Sequence, residues 1–176
     1  MGEFGIGYLD VSSPGSANGT GRLPGPLFLG YRNGGDRPAV AETLDVTATV
    51  SGAEDVTLFY RVGFGPEEAV ARNSVDGRNY SVTIPGGAVR DVIRWRFVAQ
   101  DIDGRITKEP QFANQLDSHP YYGVPVAKPD DESLAEVFEW FINGKDYSRL
   151  TSFQQVRAGL YCLGEFYDNV DFGPCG

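Results

Sequence analysis

A chain of 176 residues with 41% hydrophobic and 22% charged residues has the composition of a folded globular protein of one ordinary domain, or of one small domain with attachments, not of a disordered one. Its formal charge of −9 speaks against nucleic acid and against an anionic membrane surface as partners, because phosphate binding needs a basic patch. No run approaches the ~18 apolar residues of a membrane span, so no membrane insertion is expected, and the 23 glycines and 11 prolines predict short strands and turns over long helices.

Residues 1–26 read as a flexible lead-in, rich in Gly, Ser and Pro, with Pro14-Gly15, Asn18-Gly19 and Pro24-Gly25-Pro26 as turn or linker dipeptides. Residues 1–10 lack a basic start followed by an apolar run, so no signal peptide is visible, and the expectation is that Met1 is not the natural N-terminus. Asn18-Gly19-Thr20 and Asn79-Tyr80-Ser81 are formal glycosylation sequons, triplets that arise often by chance.

Residues 27–110 alternate with the period of half-buried strands. A first strand is expected over 27–31. In 43–50, Leu44, Val46, Ala48 and Val50 face inward; in 56–62, Val56, Leu58, Tyr60 and Val62 do; in 79–84, Tyr80, Val82 and Ile84 do. Residues 68–72 are a charged edge candidate. The most apolar face belongs to 92–100, with Ile93, Trp95, Phe97 and Ala99 on one side and Arg94, Arg96 and Gln100 on the other. It is the expected folding core. The turn Asp101-Ile102-Asp103-Gly104 leads into a last strand over 105–108. Seven short strands with regular turns point to an immunoglobulin- or fibronectin-III-like β-sandwich. A domain of about 85 residues buries only roughly 60% of its unfolded surface, so its large aromatics must supply much of the core energy.

Several residues invite a chemical reading. Asp101 and Asp103 suggest calcium, but the further oxygen ligands and the glutamate of an EF-hand loop are missing, with Arg105 and Phe112 in the matching places, so a tight turn is the default. Arg94 and Arg96 could form an anion-binding ladder, or pair with neighbouring carboxylates, as arginines on a strand of mixed charge commonly do. His119 is the only histidine, and a position before proline in a linker is a poor platform for a catalytic triad. Tyr121 and Tyr122 could stack on sugar rings or pack the linker against its neighbours. Without a CxxC or a His-Cys cluster a structural zinc site is not expected, and whether Cys162 and Cys175 are joined is a matter of geometry.

Residues 111–133 read as a linker that turns aromatic, and 134–176 as a small β-rich, α+β segment. Leu134, Val137, Phe138, Phe141 and Ile142 fit helical spacing, yet 137–142 is also rich in strand formers and ends at the turn signal Asn143-Gly144, so period alone leaves helix and strand open. Residues 145–153 suggest one or two helical turns, and 158–163 and 166–172, separated by Gly164-Glu165, a β-hairpin.

The order of three strings in this region is informative: His119-Pro120-Tyr121-Tyr122-Gly123, then Val137-Phe138-Glu139-Trp140-Phe141-Ile142, then Gly164-Glu165-Phe166-Tyr167-Asp168-Asn169-Val170. It resembles the entry into the spore-coat CotH kinase family of large secreted or surface proteins, where a "PYYG" linker precedes a strand with a "WF" core, a short helix and a hairpin with a "GEFYDNV"-like string. The preceding sandwich resembles the module in front of that kinase, and residues 7–19, with an aromatic followed by Ser13-Pro14-Gly15-Ser16-Ala17-Asn18, resemble the exit of a lamin-tail domain. The resemblance implies a strand over 137–142. Where the family continues with an Arg-Gly-rich strand this chain has Asp171-Phe172-Gly173, and the Asp-Gly of the family's hairpin turn is Leu163-Gly164.

The family's nucleotide- and metal-binding residues lie beyond these strings, so no catalytic, cofactor-binding or metal-ligating residue is carried over, and binding residues stay unknown. ATP and magnesium are implied only for a complete family member. The expectation is a non-catalytic fragment of a CotH-type secreted or cell-surface protein, its sandwich a spacer or interaction module ahead of an incomplete atypical kinase domain. The alternative is a self-sufficient extracellular module that binds glycans or surface proteins.

Overall fold

The computed structural model describes residues 25–33, 37–72, 74, 76–111, 121–128, 138–152 and 154–173. Within them the chain is mainly β, with three antiparallel sheets and one short helix. The first sheet has the order β1 (Leu27–Asn33), β2 (Leu44–Ser51), β5 (Asn79–Ile84). The second runs β4 (Glu68–Arg72), β3 (Asp55–Val62), β6 (Val92–Gln100), β7 (Ile106–Glu109), and β8 (Tyr122–Pro125) also pairs with β6. The third has the order β11 (Glu165–Phe172), β10 (Val156–Cys162), β9 (Glu139–Phe141), with helix α1 (Gly144–Thr151) between β9 and β10.

The first two sheets share one core, a sandwich-like arrangement. Leu44, Val46, Ala48 and Val50 of β2 and Tyr80, Val82 and Ile84 of β5 meet Val56, Leu58 and Tyr60 of β3 and Ile93, Trp95, Phe97 and Ala99 of β6. These are the inward positions of the period-two pattern, except that Val62 is only partly buried at the margin. Register aligns the largest side chains, with Trp95 opposite Tyr60 and Phe97 opposite Leu58. Tyr60, at the rim, donates its hydroxyl to Glu68 of the edge strand at 2.6 Å, which satisfies the polar end of a buried ring.

The turn after β6 is held by its own acids. Asp101 accepts from the backbone N–H groups of Asp103 and Arg105 at 3.0 and 2.8 Å, and from Arg105 Nε at 2.6 Å. Gly104 takes the left-handed conformation (φ +79°) that closes the turn.

One correction concerns the range read as linker. Residues 122–125 form β8, hydrogen-bonded to β6 with Val92 opposite Pro125 and Trp95 opposite Tyr122. The reason lies in the edge that β7 leaves unfilled. It pairs only with residues 97–100 of β6, so 92–95 remain to be covered. Tyr122, Val124 and Val126 repeat the period of two, and Val124 and Val126 enter the shared core. Val126 N–H donates to Asp91 O and Ala127 N–H to Pro38 O, which ties the exit of β8 to the sandwich.

In the third sheet the 137–142 ambiguity resolves as strand at 139–141, while Val137 lies outside the described residues. Asn143 is not a turn residue but the N-cap of α1, its side chain accepting from Lys145 N–H at 3.1 Å. The hairpin turn is Leu163-Gly164, the pair set against the family's turn above and one residue before the Gly164-Glu165 read from the residues alone, both at positive φ (53° and 82°). That pair of left-handed residues is the tight geometry favoured between twisted strands, and only the second is glycine.

β11 carries a bulge where Asp168 and Asn169 together oppose Gly159, between the pairs Ala158–Val170 and Leu160–Tyr167. Asn169 is left-handed there (φ 59°). The extra residue switches the faces of the strand. Phe166 lies on the face of Phe141, whereas Phe172, six residues on, reaches Trp140 on the other face. Among the described residues no helix is long and apolar enough to cross a membrane.

Trp95, 2% exposed at the centre of the core, is expected to be the most costly position of the sandwich. Trp95→Ala should lower the unfolding free energy by ~3–5 kcal/mol, measured by urea denaturation of both proteins.

Candidate functional site

The outer face of β3 and β6 carries cations in register. Arg61 lies directly opposite Arg94, and Phe59 opposite Arg96. Like charges facing each other across strands repel, so the face needs compensation. Arg96 receives it from Glu67, with two hydrogen bonds at 3.0 and 2.9 Å, and its guanidinium lies 4.1 Å from the centre of the Phe59 ring. Arg94 donates to the Gly63 carbonyl at 2.7 Å and pairs with Asp168 at 3.5 Å. Arg61 has the ring of Tyr121 at 5.5 Å, and among the described residues neither its buried Nε nor that of Arg94 has a hydrogen-bond partner.

Tyr121 stands over this face. All three guanidinium groups lie within 6 Å of its ring centre, and its hydroxyl donates to Glu67. The Arg96 hydrogen bonds, helped by that hydroxyl, hold the Glu67 carboxyl below its ordinary value of 4.5 against the opposing effect of burial. Burial, then the hydrogen bond to Glu67, raises the Tyr121 phenol. Tyr122 is raised strongly, by burial first and then by its hydrogen bond to Glu109, and its ring stacks on Tyr31 with centroids 3.8 Å apart.

The third sheet closes over the same face. The side turned to the sandwich presents Glu139, Phe141, Tyr161, Phe166 and Asp168. The Phe166 ring sits on Gly123 of β8 and on Gly159 of β10; a Cβ at Gly123 would fall 2.4 Å from that ring, and one at Gly159 2.8 Å. Glu139, 8% exposed, pairs with Arg37 at 2.6 Å and with Lys128 at 3.5 Å, and Arg37 also donates to the Val126 carbonyl and lies 5.2 Å from the Tyr161 ring centre. Between the sheets remains a cleft of about 270 Å³, to which Arg61, Arg94, Tyr121, Arg157 and Asp168 contribute. On its far wall Arg157 pairs with Asp171 at 3.0 Å and donates to the Asn169 carbonyl at 2.9 Å.

Of the residues singled out in the sequence, Arg94, Arg96 and Tyr121 meet at this site. The two arginines are paired with carboxylates, and neither tyrosine is an open stacking platform, since Tyr121 is covered by guanidinium groups and Tyr122 by Tyr31. Asp101 and Asp103 are elsewhere, bound into their turn. Asn79 is exposed, its amide nitrogen donating to Asp76. His119, Asn18 and Cys175 lie outside the described residues, as does the lead-in to residue 24. Among the described residues no three His, Cys, Asp or Glu side chains gather as a metal-binding group.

Arg61, Glu67, Gly123 and Asp168 escaped sequence reasoning as site residues. Arg61 is signalled only by its outward place in the β3 alternation. Asp168 shares the face of Phe166 two residues earlier, and is buried because that face meets the sandwich.

Comparison with protein-family models, with curated proteins and with solved structures finds no match.

Gly123→Ala should force the Phe166 ring off β8 and destabilise the chain by ~1–3 kcal/mol, the usual range for overpacking. Hydrogen exchange is expected to quicken in residues 139–172 more than in β2 and β3. A second measurement concerns acid. Because Glu67 is held below 4.5 in the folded chain, its stabilising contribution is present above pH 4.5 and is lost as pH falls through the lower folded-state value. Glu67→Gln should therefore flatten the acid limb of a stability–pH curve recorded by thermal melting.

Proposed function

We propose that the chain is the accessory part of a CotH-type secreted or cell-surface protein: an immunoglobulin/fibronectin-III-like sandwich followed by the opening strands of the kinase-like unit, serving as spacer and docking platform without catalysis of its own. The fold assignment is supported by a three-stranded sheet of order β1-β2-β5 packed on one of order β4-β3-β6-β7 around a single core. In that reading β7 and β8 are two halves of one edge strand.

The observation that carries the functional reading is the contact between the two strings on which the resemblance rests. Tyr121-Tyr122-Gly123 and Phe166–Asp168 are more than forty residues apart in the chain, yet Phe166 packs on Gly123, and Asp168 pairs with Arg94 beneath Tyr121. Strings that hold two units together in this way are packing signatures. Phosphoryl transfer requires a lysine and metal-binding carboxylates around a nucleotide, roles for which this reading names no residue here.

The test is turnover. The purified chain incubated with magnesium and ATP is expected to release no phosphate and to transfer none to itself or to casein. Phosphate release that a single substitution in this chain abolishes would overturn the non-catalytic reading.

A further inference from the structure

We propose that the cleft between the sandwich and the third sheet binds a small ring bearing one carboxylate, of which a hexuronate is the simplest case; the inference does not rest on the family reading. It starts from a charge left over. Arg61 and Arg94 face each other across β3 and β6. Arg94 has Asp168 and the Gly63 carbonyl, Arg96 has both oxygens of Glu67, and Arg157 on the far wall has Asp171. Among the described residues Arg61 alone of these four has no carboxylate at ion-pair distance, while its Nε–H, like that of Arg94, is buried without an acceptor.

A carboxylate answers a guanidinium with two parallel hydrogen bonds. The cleft's other groups narrow the class. At about 270 Å³ it lies below the range of pockets for drug-sized ligands, which suits a single ring. Phe64, 48% exposed, has Arg94 over one face of its ring and offers the other, while the Asn143 amide nitrogen and the Asp146 oxygen not taken by Arg149 offer a donor and an acceptor to ring hydroxyls. Asp146 and Asp168 would repel a phosphate dianion, whereas a hydroxylated monoanion can donate to them. The chain's charge of −9 also disfavours a multiply charged ligand.

The full chain titrated with sodium glucuronate and followed by amide chemical shifts is the experiment, with glucose and inorganic phosphate as comparators. Glucuronate is expected to give saturable shifts around Arg61, Arg94 and Asp168 at millimolar concentrations, with both comparators about tenfold weaker or worse. Arg61→Gln should weaken glucuronate by about tenfold while the spectrum of the sandwich stays intact. Should that variant fail to fold, Arg61→Lys carries the same test, since it keeps the charge and loses the planar fork, and glucuronate should weaken several-fold. No saturable shift, glucose or phosphate binding as tightly as glucuronate, or binding unchanged in the Arg61 variant that folds would overturn the proposal.

Discussion

A β-strand has two hydrogen-bonding edges, and the way those of β6 are filled organises the molecule. One edge is taken along its length by β3. The other is shared, with β7 on residues 97–100 and β8 on residues 92–95. The first half of that edge could not stay bare, because Ile93 and Trp95 are fully in the core and unpaired backbone groups beside them would be costly to bury. By supplying the missing partner, β8 brings Gly123 and Tyr121 to the sandwich, and the Phe166 ring on Gly123 then joins the third sheet to it.

The electrostatics of the joint follow from the same register. Pairing β3 with β6 sets Arg61 against Arg94 and leaves a cationic face that neither strand balances alone. The carboxylates come from elsewhere in the chain, Glu67 from the loop before β4 and Asp168 from the bulge in β11. Glu139 does the same for Arg37 and Lys128 on the other side of the joint. Removing one member of such a buried pair costs more than the pair contributes, because the remaining charge stays desolvated. The joint is therefore selective about its partner surfaces.

Much of the sandwich was readable from residue alternation. Apart from Val62 at the margin, the inward residues of β2, β3, β5 and β6 are those the period of two assigned, since a strand with one buried face repeats its apolar residues every second position whatever its neighbours are. The turn at Asp101–Gly104 was readable because its acids and its glycine each have a local role. The strand β8 was missed although Tyr122, Val124 and Val126 alternate, since three apolar residues beside two prolines look like an aromatic linker until an open sheet edge is known to lie next to them. The site was barely readable. Arg94 and Arg96 could be noticed on their strand, but their partners Asp168 and Glu67 stand 74 and 29 positions away in the chain.

The sequence by itself determined the class of the fold, the inward faces of its strands and the turns between them, because these depend on interactions a few residues apart. Strand pairing, the covering of β6 by β8, the bulge in β11 and the ion pair of Asp168 with Arg94 were decided only by the tertiary structure. They depend on which distant edges and faces meet, and a single-residue change of register at the bulge is enough to send Phe166 and Phe172 to opposite sides of one strand.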